Sequence, residues 1–131
     1  MIGYNRKLRY EYSKKGIETR KKYRLNYGSL CSNIKKREKS YGIDSLVNID
    51  MIKAIFKIFN FKCFNCNSTS NLCLDHFNPI RYRIPIYLDN CLLLCTSCNS
   101  KKNRKNPKDF FSPVQLEILR SEYGLKPIAI L

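Results

Sequence analysis

Two matched cysteine pairs, Cys63-Phe-Asn-Cys66 and Cys95-Thr-Ser-Cys98, have the residue types and spacing that most directly imply chemistry. A Cys-x2-Cys turn lets two thiolates reach one ion, and two such turns complete a tetrahedral shell of four. A shell with no open position is structural rather than catalytic. Zinc is the expected ion. The alternative is that these cysteines are buried or disulfide-bonded, but no secretory segment is evident to favour disulfides. Cys31, Cys73 and Cys91 have no matching partner and read as small buried hydrophobes.

The stretch between the pairs, 67–94, is longer than a short ribbon needs, so a folded insert is expected there. Leu72, Leu74 and His76 alternate with Cys73, Asp75 and Phe77, the period-2 pattern of a half-buried strand. Cys91-Leu92-Leu93-Leu94 is a second short apolar run. Thr96 is a candidate cap for a helix that starts with the second cysteine pair. That helix is expected to run through Asn99 and Lys102 and stop near Asn106-Pro107, because the residue before proline disfavours the α region. The unit reads as strand, loop, strand, helix.

With these residues in place, the order Cys-x2-Cys, Asp75-His76, Asn90, Leu94-Cys-x2-Cys-Asn99-x2-Lys102 resembles the zinc-containing HNH endonucleases, in a His-Asn-Asn version. The resemblance implies a ββα-metal unit with His76 as general base and Asp75 and Asn99 as ligands of a catalytic divalent ion. It also implies that Asn90 orients the base through its loop. One departure stands out: the loop 78–88 lacks the Gly-Gly turn usual in that family. Each residue also has a plain alternative. A lone histidine is commonly structural, Asp75 could pair with an arginine, Asn90 could serve a turn, and Asn99 could be a polar residue at a helix start.

The implied chemistry is coherent. Phosphodiester hydrolysis needs a nucleophilic water, a base, and positive charge at the phosphate and leaving oxygen. A neutral imidazole suits the base role near neutral pH. A hard ion such as Mg2+ or Mn2+ takes oxygen ligands, which Asp75 and Asn99 offer. Adjacent strand residues point to opposite faces. A bulge or the strand end must therefore re-aim Asp75 or His76.

The rest of the chain fits a polyanion partner. Twenty-five Lys and Arg against 10 Asp and Glu give a net charge of +15. With this motif, that excess points to nucleic acid and away from membranes, and the endonuclease resemblance implies DNA ahead of RNA. No apolar run is long enough to span a bilayer. Residues 1–41 read as a basic helical arm, with helices over 5–26 and 30–40, a break near Gly28, and apolar positions too sparse for a core face. Lys21, Lys22 and Arg24 from this arm, with Arg81, Arg83, Lys102, Arg104 and Lys105, are candidate nucleic-acid contacts. Abundant Lys, Asn, Ile and Tyr hint at an AT-rich genome, and so at the interior of a phage-infected or AT-rich bacterial cell, or an organelle.

Residues 42–131 read as the folded domain, with 42–50 as its leading linker. A helix over 50–60, capped by Asn48 or Asp50, places Ile52, Ile55, Phe56 and Phe59 on one face. Ser112-Pro-Val-Gln115 is a capping box with proline at the first helical position, and Gly124 closes that last helix. Leu116, Leu119 and Tyr123 give its inner face. So small a core calls for a structural ion. The expected protein is α+β, a zinc-stapled ββα-metal unit flanked by helices, acting as a metal-dependent endonuclease. The alternative is a non-catalytic, zinc-stabilised nucleic-acid-binding subunit of a larger assembly, such as a ribosome or transcription complex.

Overall fold

A computed structural model describes residues 26–128. The expected helix over 5–26, with Lys21, Lys22 and Arg24, falls almost wholly outside them. In chain order the elements are α1 (Tyr27–Ser40), α2 (Ile49–Ile58), β1 (Leu72–His76), a 3-10 turn (Ile80–Tyr82), β2 (Cys91–Cys95), α3 (Thr96–Lys102), α4 (Pro107–Phe110) and α5 (Pro113–Tyr123). The fold is mixed α and β. Its sheet is one antiparallel pair, with Leu72 opposite Cys95, Asp75 opposite Leu92 and His76 opposite Cys91.

The register explains the burial. All of β2 is buried, so its continuous apolar run forms the centre of the core. β1 lies over it half-buried along its length, without the strict alternation expected from its pattern, until His76 closes the strand in the interior. No bulge interrupts the pairing. His76 is the last residue of β1, so the strand end is what brings it beside Asp75.

Helices α2 and α3 contact the sheet. Asn48 caps α2 by accepting the Met51 N–H, and Ile52, Ile55, Phe56 and Phe59 are buried as the helical spacing predicts. The capping box of α5 forms as read: Ser112 and Gln115 exchange hydrogen bonds, and Gly124 ends the helix at φ 68°. Phe59 stacks on Tyr123 at 4.4 Å between ring centroids, which ties α2 to α5. Phe64, beside the first cysteine turn, meets Phe59, Phe111 and Tyr123 edge-on.

Two local expectations change. Helix α3 is capped by Cys95, whose sulfur accepts the Cys98 N–H, rather than by Thr96. It also ends at Lys102, because Asn103 leaves helical geometry at φ 48° before the proline is reached.

The larger difference is α1. It begins at Tyr27 with Asn26 as its cap, so Gly28 lies inside its first turn rather than at a break. Tyr27, Leu30 and Ile34 pack on the core, and Cys31 and Glu38 are buried. Apolar positions that look sparse along the sequence suffice because α1 lies on α2, with the Tyr27 ring edge-on to Phe56 at 5.4 Å. Residues 42–48 are likewise no loose linker, since Ile43 and Val47 are buried.

Candidate metal centre and adjoining cleft

The four paired cysteines converge. The sulfurs of Cys63, Cys66, Cys95 and Cys98 all lie within 4.8 Å of one another, with Cys66 and Cys95 at 3.6 Å. Zinc–sulfur bonds of about 2.3 Å would put tetrahedral sulfurs roughly 3.8 Å apart. The cluster is therefore compatible with a structural metal ion. It is also supported from outside. The Cys98 N–H donates to Cys95 Sγ at 3.4 Å, the main reason the Cys95 thiol falls to about 7. Burial pushes Cys98 the other way, to about 12. A bound ion would hold all four as thiolates. Asn65 donates to Cys98 Sγ at 3.4 Å, and Gln115 donates to Asn65 at 2.9 Å, so the cap of α5 also braces the cluster. Cys31 and Cys91 are buried and Cys73 half-buried, and none joins the cluster.

Asp75 and His76 sit at the other end of the sheet, lining two neighbouring depressions. The larger, about 430 Å3, is bordered by Arg37, Tyr41, Arg81, Asn103 and Arg104. The smaller, about 170 Å3, brings Asn99 in with Asp75 and His76. These three predicted site residues therefore share one pocket. Burial raises the Asp75 carboxyl above its usual range, with Lys102 opposing. Burial lowers His76, with Glu38 opposing.

Asn90 is buried and acts on the loop. Its Oδ1 accepts the Asn78 N–H at 2.8 Å, and its Nδ2 donates to the Ile84 and Pro85 carbonyls at 3.3 Å. One side chain thus ties both ends of the excursion between the strands. The turn made without glycine depends on Arg83, which adopts φ 63° and ψ 31°. That left-handed conformation is uncommon for a residue with a Cβ.

Lys102 is not where a phosphate contact needs to be. It is fully buried, with Nζ donating to the His76 carbonyl at 3.1 Å and lying 2.8 Å from Asp75 Oδ2. The approach to Oδ2 is off the hydrogen-bond direction, so that oxygen has charge contact but no aligned donor among the described residues. Arg81 is partly committed too, donating to the Arg104 carbonyl and to Asn106, and stacking over Tyr82. Arg83, Arg104 and Lys105 are exposed.

Two residues of this region do not stand out in the sequence. Arg37 borders both depressions. Glu38, fully buried, has Oε2 2.8 Å from His76 Nε2, and accepts from the Ile86 N–H at 2.7 Å and from Ser45 Oγ at 2.5 Å. The one signal for it is a lone acid inside the basic run Lys35-Lys36-Arg37-Glu38-Lys39.

Comparison with known proteins adds little to this geometry. No family model matches the chain. No solved structure matches it. A protein named "Uncharacterized protein R423" from Acanthamoeba polyphaga mimivirus is 28% identical over 106 residues, covering 79% of this chain. The match spans 19% of that viral protein's length. Among the described residues, no helix is long and apolar enough to cross a membrane.

Proposed function

We propose that the chain is a zinc-stabilised HNH-type endonuclease that hydrolyses phosphodiester bonds in nucleic acid, with DNA as the favoured substrate. The observation that carries this reading is the convergence of Asp75, His76 and Asn99 on one pocket, beside a cleft bordered by Arg37, Arg81 and Arg104. The strand–loop–strand–helix order, with cysteine pairs before the first strand and across the start of the helix, supports a ββα-metal unit. Four thiolates form a closed, soft donor set, which suits Zn2+.

His76 accepts a proton from the attacking water as the water oxygen bonds to phosphorus. The bond from phosphorus to the leaving oxygen breaks, and that oxygen takes a proton from solvent. Arginines at the cleft hold the phosphate and offset its charge. Asp75 and Asn99 would hold a divalent ion such as Mg2+ or Mn2+, which would supply further positive charge there.

One observation favours the second reading, a non-catalytic binding subunit of a larger nucleic-acid assembly. The Lys102 ammonium already lies against Asp75, the carboxylate that the divalent ion needs. Cleavage assays on plasmid and single-stranded substrates with Mg2+ or Mn2+ decide between the two. The nuclease reading expects ion-dependent cutting that falls about 10²–10⁴-fold in His76→Ala. Tight binding without cutting in the wild type, or equal cutting by His76→Ala, would leave the binding reading.

A further inference from the structure

We infer that Glu38 is the positioning residue for His76, holding the ring with Nε2 protonated so that Nδ1 is the nitrogen left to accept a proton. Its consequence for catalysis rests on the nuclease reading above; its geometry does not.

Three groups converge on the Glu38 carboxylate: His76 Nε2 at 2.8 Å and two donors, the Ile86 N–H and Ser45 Oγ. An ionised carboxylate only accepts hydrogen bonds, and a backbone N–H only donates. Oε2, which already takes the Ile86 N–H, can therefore best hold His76 as an Nε2–H donor. The neutral imidazole then carries its free lone pair on Nδ1, since one ring nitrogen donates and the other accepts. Among the described residues, Nδ1 has no hydrogen-bond partner.

The carboxylate is well placed to fix orientation as well as tautomer. Glu38 is fully buried and anchored on a 14-residue helix. Ser45 ties it to the segment after that helix, and Ile86 ties it to the loop that Asn90 clamps. Ring, loop and helix are thus fixed to one another through one side chain.

His76 is the sole histidine, so long-range proton–nitrogen NMR spectra of the zinc-loaded full chain contain one imidazole. Above the ordinary histidine range of about 6.5, the wild type should show a protonated Nε2 with a slowly exchanging hydrogen and an unprotonated Nδ1. Glu38→Gln preserves shape and an acceptor oxygen but removes the charge. It should stay folded, keep Nε2 protonated with faster exchange, and lose roughly tenfold to a hundredfold in kcat with KM little changed. A wild-type spectrum with Nδ1 protonated overturns the assignment. So does a folded Glu38→Gln protein with wild-type exchange and kcat. If the wild type cuts nothing but shows the protected Nε2 hydrogen, the nuclease reading falls and the role of Glu38 in holding the ring stands.

Discussion

Lys102 and Asp75 form an ion pair at 2.8 Å, with side chains only 1% and 15% exposed. Removing one partner of a buried pair leaves an uncompensated charge, which costs about 3–5 kcal/mol. Lys102→Met should therefore destabilise the zinc-loaded protein by that amount in denaturant unfolding. Adding Asp75→Asn should recover much of the loss, because the stranded charge is gone. Equal stability of Lys102→Met and the wild type would show that the pair is not formed in solution.

The cysteine cluster gives a second expectation. Cys66→Ser should lower bound metal below one ion per chain and unfold the domain, since metal binding and folding are linked. Asn65→Ala is subtler. It removes the hydrogen bond to Cys98 Sγ and frees Gln115, and changes of this kind weaken metal affinity about 10–100-fold. Chelator competition on the two variants measures both effects, and unaltered affinity in Asn65→Ala would mean that bond is incidental.

Cleavage should depend on pH through His76. Burial lowers its pKa, so the neutral base persists below the ordinary value of about 6.5. The acid limb of the rate profile should fall below that pH, and cutting should be lost as pH drops further and the ring protonates. A group depressed in the folded state also contributes stability that is complete above its unfolded pKa and lost in acid. An acid limb centred above about 6.5 would contradict the buried setting of His76.

The amino-terminal basic residues should act by neutralising phosphates. Removing residues 1–25 should weaken duplex binding across all sequences. It should also flatten the salt dependence, by roughly 0.9 in log–log slope for each phosphate no longer neutralised. The deletion must stop there, because residues 27–40 form α1 and deliver Glu38 to the core. An unchanged slope, read by binding titrations over a salt series, would assign that segment another task.

What could be read from the sequence follows from locality. The cysteine turns, the α2 stripe and the Ser112–Gln115 cap depend on neighbours a few positions apart, and all three form as their patterns imply. Glu38, Lys102 and Arg37 carry the same composition as solvated charges, and only tertiary structure distinguishes them. Glu38 meets His76 across 38 positions and Ile86 across 48. Lys102 reaches the His76 carbonyl across 26. A helical pattern cannot say that its one acid turns inward, nor that a lysine a few residues past a cysteine folds under the strand. The Arg83 turn is hidden for another reason: glycine marks a left-handed position from sequence, whereas arginine does not.

The placement of Glu38 bears on how this site could be moved between proteins. A graft of residues 61–106 would carry both cysteine turns, the strand pair, the loop and the short helix, and so every side chain named by the motif. It would leave behind the carboxylate that seats the imidazole and the Ile86 amide. Such a transplant should fold around its metal yet hold a wandering ring. A host scaffold would have to supply an inward-facing acid from a helix of its own before the grafted histidine could be aimed.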